Sequence, residues 1–511
     1  MSSVAVPPLS PAPAQARWKP VALFVVIASS ACTAPLFDLM DVTFTGDRLL
    51  GLLALGVAAF GVWRRELHWT PIHTALAVFT AIQIVTSLLA SRDWPAGPKF
   101  SSVYLLGWAC FALVAAWAGG AGGPWGAGRL WIGIGAVLGV AGSALAVVAN
   151  YWQVQLWGVG QAEWLIESRD EKLILFATKF TFDEWNLYSS FLLVAFALGL
   201  WWWSAARDPR ARRRGFLAVA AIAFGLVFGM TRAAWVGMAL LLAFWLWSRR
   251  PGWRAAAAIA AAVVLAFSVQ ALAVGEAPLY WRVVRPLERG KDKNIAVRGR
   301  INDATITSWM GFAPPCNQPG GLVDPVEEVD DAPRPRTPGD ATATTGVASA
   351  PAARPEDAGA GAPGVAAPPT ASPPAPARAD TGSVARWASP LLGRGAGSTN
   401  SLKILLRNAQ GIVKPWNGNL VLFVLHDSGI VGLTSLAALV VVVGAAGRRA
   451  LRRAADAEAR GLLVALLGAG VALLWAYQFT HGMWIMYTYV YLGVLTAAID
   501  SISPRDGPPV A

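Results

Sequence analysis

The residues best suited to chemistry are arginines standing beside apolar runs. Thr231-Arg232-Ala233-Ala234-Trp235-Val236-Gly237 lies at the boundary between two such runs. A basic stretch carries Arg282, Arg285, Arg289, Lys291, Lys293, Arg298 and Arg300 and ends at Trp309. Lys179 precedes Phe180-Thr181-Phe182-Asp183-Glu184-Trp185-Asn186. A fourth patch runs from Ser389 through Gly393-Arg394-Gly395-Ala396-Gly397 to Asn400, then to Trp416-Asn417-Gly418-Asn419, with His426-Asp427 beyond. A guanidinium grips phosphate oxygens through two parallel N–H bonds. Glycine-rich backbone lets amides approach an anion closely or makes a tight turn. An arginine at a bilayer boundary is costly without a partner or a task. Together these types suit the holding of an anionic leaving group at a membrane surface while charge develops on it.

The elements that position them are membrane helices. The chain has 511 residues, of which 55% are hydrophobic and 14% charged. A soluble domain carries roughly 25% charge, so a soluble fold is excluded. The net charge is +12, but the basic residues fall in short clusters between apolar runs. Topology explains that placement, and no nucleic-acid partner is expected. Cys32, Cys110 and Cys316 are far apart in sequence and give no disulfide framework. His68, His73, His426 and His481 form no metal-ligand spacing, so neither metal nor cofactor is expected. The Pro/Ala-rich N-terminus lacks a cleavable-signal pattern, and the first apolar run reads as a retained helix.

About twelve spans follow from the ~20-residue bilayer criterion: roughly 20–36, 47–63, 71–90, 102–119, 128–150, 185–205, 215–231, 233–248, 255–275, 419–446, 460–478 and 482–499. Basic clusters precede the first span (Arg17, Lys19) and follow the second (Arg64, Arg65), sixth (Arg207, Arg210, Arg212–Arg214), eighth (Arg249, Arg250, Arg254) and tenth (Arg448, Arg449, Arg452, Arg453). Both termini inside the cell satisfy the positive-inside rule at every cluster. The expected organisation is a cytoplasmic tail (1–19), helices one to nine (20–275), a large outward loop (276–418), helices ten to twelve (419–500) and a second cytoplasmic tail (501–511). Loop 151–184 faces outward too. Within the large loop, about 320–380 is Pro, Ala, Thr and Gly with an acidic patch, and reads as a disordered insertion.

Each patch also has a plain reading. Arg232 can snorkel to the interface. The 282–300 run can be a solvated face or touch anionic lipid. Gly393–Gly397 can be an ordinary turn. Asn186 and Asn419 stand where helix N-caps stand, and His426 beside Asp427 can be a structural pair.

In their order along the chain, the patches resemble the bacterial O-antigen ligase and polymerase superfamily. Phe180–Asn186 looks like the family's Gly/Phe-x-x-x-Asn start of a mid-chain helix. Thr231–Gly237 looks like its Ser/Thr-Arg-x-x-Trp-x-Gly motif. Arg300 and Trp309, then Pro390-Leu391-Leu392-Gly393-Arg394-Gly395, resemble its Arg…Trp…Pro-Leu-Leu-Gly-x-Gly stretch. Asn419-Leu420 followed by His426-Asp427-Ser428-Gly429-Ile430-Val431-Gly432-Leu433 resembles its closing segment.

The resemblance implies an all-α polytopic inner-membrane glycosyltransferase, with the large loop between helices nine and ten in the periplasm. It would act on an undecaprenyl-pyrophosphate-linked glycan. The acceptor would be lipid A-core or a growing glycan, and membrane lipid and polysaccharide-assembly proteins would be further partners. The candidate catalytic residues are Arg232, Arg300, Asn419 and His426. Arg232, Arg298, Arg300, Lys179, Gly393 and Gly395 are the candidates for holding the donor pyrophosphate, with arginines replacing a divalent ion. The family's ligases place a histidine, the candidate base, immediately before the Asn of span ten; here that residue is Gly418. This departure, and an insertion that splits the Arg…Trp and Pro-Leu-Leu-Gly halves, shift the expectation slightly from ligase to polymerase. Transfer to protein is a third enzymatic reading. A glycan-lipid flippase or other transporter is the alternative from another class, and a non-catalytic assembly protein is the last; a transporter predicts internal repeats and broken helices, and no repeat is visible.

Overall fold

The computed structural model describes residues 18–33, 35–39, 42–63, 69–90, 96–120, 123–154, 156, 161–168, 173–182, 184–249, 253–274, 293–310, 389–395, 406–408, 411–413, 418–480, 482–483 and 485–502. Its elements run α1 (Trp18–Ser30), β1 (Pro35–Leu39), β2 (Val42–Thr45), α2 (Gly46–Trp63), α3 (Pro71–Ala90), α4 (Ala96–Gly120), α5 (Gly123–Trp152), β3 (Gln161–Ser168) and β4 (Leu173–Phe180). They continue with α6 (Trp185–Ala205), α7 (Pro209–Phe228), α8 (Arg232–Arg249), α9 (Trp253–Val274), α10 (Lys293–Trp309), α11 (Ser389–Leu392), β5 (Leu406–Asn408), β6 (Gly411–Val413), α12 (Leu420–Arg453), α13 (Ala457–Ala476) and α14 (Met486–Ile502).

Among the described residues, seven helices are long and apolar enough to cross a membrane: α3, α4, α5, α6, α9, α12 and α13. The chain is a helical multi-pass membrane protein. A helix lies on each of the twelve apolar segments marked in the sequence. The remaining five are shorter, or carry charge, as α7 does with Arg210 and Arg212–Arg214 in its first turns.

Helix starts follow from local chemistry. Asp208 accepts the Ala211 amide at 2.9 Å, with Pro209 in the first helical turn of α7. Asp456 accepts the Ala459 amide at 2.8 Å and starts α13. Each cap satisfies an amide that the helix itself leaves without a partner.

The bundle is built around α6. Eighty-nine per cent of its apolar window is buried, against 22% for α9 and 28% for α12, so α6 is the axis and the other two face lipid. α5, α7, α8 and α13 surround α6. Where α5 crosses α7, a Cβ on Gly225 would sit 2.6 Å from the Gly139 Cα. Small residues there let the backbones touch, the usual source of helix association in lipid.

Several expectations need correction. The helical class holds, but the connections add β1–β2, β3–β4 and β5–β6, three two-stranded antiparallel ladders, which short non-alternating loop sequence did not reveal. The first helix ends at Ser30, not near residue 36, because Pro35 removes an amide donor and the chain enters β1. The segment 276–418, expected to face outward, holds a 17-residue helix, α10. The insertion at about 320–380, His481 and residues 1–17 and 503–511 lie outside the described residues.

Candidate functional site

The four patches meet at a short turn that the sequence reading did not single out, Trp475–Thr480 at the end of α13. Trp475 donates its indole N–H to the Ala233 carbonyl at 3.2 Å, beside Arg232. Thr480 donates its hydroxyl to Glu184 Oε2 at 2.8 Å, in the Phe180–Asn186 patch. Arg298 donates from Nη1 to the Phe479 carbonyl at 3.0 Å, and its guanidinium lies 5.6 Å from the Phe479 ring centre. The Leu420 amide donates to the Tyr477 carbonyl at 2.8 Å, which brings in the start of α12.

Each patch is held by its own elements. On α5, Asn150 donates to the Phe176 carbonyl at 2.8 Å and accepts the Phe176 amide at 2.9 Å. That double bond fixes β4 and the Lys179–Glu184 run after it. The half-buried Glu184 precedes the first residue of α6, where the helix dipole favours a carboxylate. Asn186 donates to Glu184 Oε1 and Thr480 to Oε2. Lys179 is half-buried, and its carbonyl accepts the Phe182 amide at 2.8 Å.

Arg232 is the first residue of α8 and is half-buried. The turn before it is braced: Ser189 on α6 donates to Thr231 Oγ1 at 3.2 Å, and Thr231 donates to the Gly229 carbonyl at 3.0 Å. Trp235 reaches back to the Leu226 carbonyl at 3.2 Å. Met230 is held at φ 49° and Phe180 at φ 45°. Each left-handed non-glycine residue costs about 1–2 kcal/mol, and both stand within two residues of the patches they precede or open.

The glycine-rich patch docks on α12. α12 kinks at Gly429, where φ is 65°. A break there takes i+4 donors from nearby carbonyls. The Arg394 amide donates to the His426 carbonyl and the Gly395 amide to the Asp427 carbonyl, both at 2.8 Å. Gly393 and Gly395 take φ of 72° and 87°. A Cβ on Gly429 would lie 2.6 Å from the Gly393 nitrogen, and one on Gly393 would lie 2.5 Å from the Asp427 carbonyl carbon. These glycines permit backbone-to-backbone docking of the α11 turn on the α12 kink.

His426 is fully buried at that kink. Its Nε2 is 3.0 Å from Ser308 Oγ on α10 and its Nδ1 is 3.3 Å from Asp427 Oδ1. Trp309 donates to the Pro390 carbonyl at 3.2 Å and Gln83 on α3 to Ser428 Oγ at 2.7 Å. His426 thereby ties α10 to α12 through Ser308. α10 bridges the two centres, with Arg298 at the turn and Ser308 at the kink. Arg300 belongs to α10; its side chain lies outside the described residues. Asn419 is the N-cap of α12, its Oδ1 accepting the Leu422 amide at 3.1 Å.

Gly418 has no room for a side chain. A Cβ there would lie 2.8 Å from the Phe479 carbonyl carbon and 3.4 Å from the Thr480 Cα. A histidine cannot stand here without moving the turn. The carboxylate joined to that same turn is Glu184.

Sequence reasoning quoted Glu184 without giving it a role and passed over Ser308, Phe479 and Thr480. Thr480 beside His481 on a predicted outer face was the one available signal. Compared with known protein families and with characterised proteins, the chain gives no match.

Proposed function

We propose that this protein is a glycosyltransferase of the bacterial inner membrane that takes a glycan from undecaprenyl pyrophosphate at the periplasmic face. Within that activity, joining of surface-polysaccharide repeats is favoured slightly over ligation to lipid A-core. In this reading all twelve apolar helices cross the bilayer, and both termini and the basic clusters are cytoplasmic. The observation that carries the proposal is the meeting of Arg298, Glu184 and the Ala233 carbonyl, next to Arg232, around the Trp475–Thr480 turn.

The step is a displacement at the anomeric carbon. An acceptor hydroxyl oxygen attacks that carbon, and its proton passes to Glu184. The bond from carbon to pyrophosphate oxygen breaks, and undecaprenyl pyrophosphate leaves with the electron pair. Arg232 and Arg298 hold the leaving group and offset its developing charge. Glu184 takes the part that the resembling ligases give to a histidine at the position of Gly418. An ionised carboxylate offers about four lone-pair sites, and Asn186 and Thr480 donate to Glu184.

The test uses a deletion strain, with its lipid-linked and surface glycans sized on gels. Single repeats on lipid A-core indicate a lost polymerase, whereas full chains left on the carrier indicate a lost ligase. Returning Glu184→Gln at matched expression should leave activity about 100-fold or more below wild type, the usual scale for a general base. Normal glycans in the deletion strain would overturn the activity, and a fully active Glu184→Gln would remove Glu184 as the base.

A further inference from the structure

We infer that the lipid-facing side of α12 near its C-terminal end binds an anionic glycerophospholipid. Val441, Gly444, Ala445, Arg448, Arg449 and Arg452 lie together on an open surface of α12. Val441, Ala445, Arg448 and Arg452 recur at three- and four-residue steps, which places them along one face of the helix. Val441 is 67% exposed, and a Cβ on Gly444 would meet nothing within 4 Å. Gly447 differs: a Cβ there would lie 2.8 Å from Leu467, so that glycine serves helix packing. Gly444 is instead a gap in the surface.

The same Gly444 also lines an apolar cleft of about 160 Å³ between α12, α13 and α14, walled by Val440, Val443, Val471 and Leu474. The cationic surface thus adjoins the apolar cleft at Gly444. Beyond its kink at Gly429, α12 continues through 430–453, about 36 Å at 1.5 Å per residue. The hydrocarbon core is about 30 Å thick, so the arginine turns stand at headgroup depth while the cleft lies at acyl-chain depth. Arg448, Arg449 and Arg452 are exposed, and among the described residues no carboxylate pairs with them. By contrast, Arg129 lies 4.0 Å from Glu458. Three guanidinium groups offer forked donors to phosphate oxygens, and the cleft beside them takes an acyl chain. A cluster that served only to orient the helix would need neither the gap at Gly444 nor the cleft.

The experiment takes the full-length protein in detergent, stripped of lipid. Dioleoyl phosphatidylglycerol or dioleoyl phosphatidylcholine is added, and bound copies are counted by native mass spectrometry. Phosphatidylglycerol should be retained at about tenfold lower concentration than phosphatidylcholine. Gly444→Leu places a side chain where an added Cβ meets nothing within 4 Å and should lower phosphatidylglycerol retention about tenfold without lowering the thermal midpoint. Arg448→Gln should lower it about fivefold without changing phosphatidylcholine. Equal retention of the two lipids, or wild-type retention by either variant, overturns the assignment. Neither residue lies at the proposed donor site, so the result is independent of that function.

Discussion

Arg232 separates two physical roles that look alike in a sequence. A snorkelling side chain needs only length and charge, whereas a pyrophosphate grip needs the planar fork. Arg232→Lys should therefore fail nearly as badly as Arg232→Ala, each with an activity loss on the order of 100-fold. Glycan-length profiles at matched expression measure this. A fully active Arg232→Ala would take Arg232 out of the site and remove the motif on which the family resemblance leans most. Arg298→Ala should give a smaller loss, since Arg298 also braces the Phe479 carbonyl and neighbouring cations can share one phosphate. Legibility at this scale was uneven. Arg232 and Arg298 stood out because charge beside apolar sequence is rare. Thr480 and Ser308 did not, because a hydroxyl gains its role only from the partner that the fold brings, Glu184 in one case and His426 in the other.

The elements were easier to read than their ends. Apolar length alone places a helix on every expected span, since unpaired backbone is excluded from lipid. The kink in α12 and the docking of α11 on it were not legible, because Gly429 looks like any helical glycine until its φ of 65° is known. Gly429→Ala meets both a strained backbone and the Leu391 carbonyl. It should destabilise the protein by about 1–3 kcal/mol, read as a lowered thermal midpoint in detergent. His426→Ala should act on the same unit by releasing Ser308, so the two losses should fall short of adding. Strict additivity would show that α10, α11 and the kink do not form one cooperative unit.

At the scale of the molecule, the alternation of basic clusters makes a topological demand. Reporter fusions near Thr345 and at Arg453 should read periplasmic and cytoplasmic, respectively. Cytoplasmic activity at Thr345 would place the arginine patches on the wrong side of the membrane for the donor. Deleting about 322–380 should leave activity largely intact, because that composition cannot bury a core. Complete loss with normal membrane expression would show that the segment binds something.

The Trp475–Thr480 turn also sets an order of events during synthesis. Every patch it ties together lies earlier in the chain: Glu184, Ala233, Arg298 and Leu420 are all translated and threaded first. Until α13 and the turn behind it arrive, Glu184 lacks Thr480 and Arg298 lacks its Phe479 anchor. A nascent chain stalled after α12 carries all four motifs and still has no assembled centre. The late turn works as a latch: under the proposed function, a half-made chain would be kept from handling lipid-linked glycan before its bundle has closed.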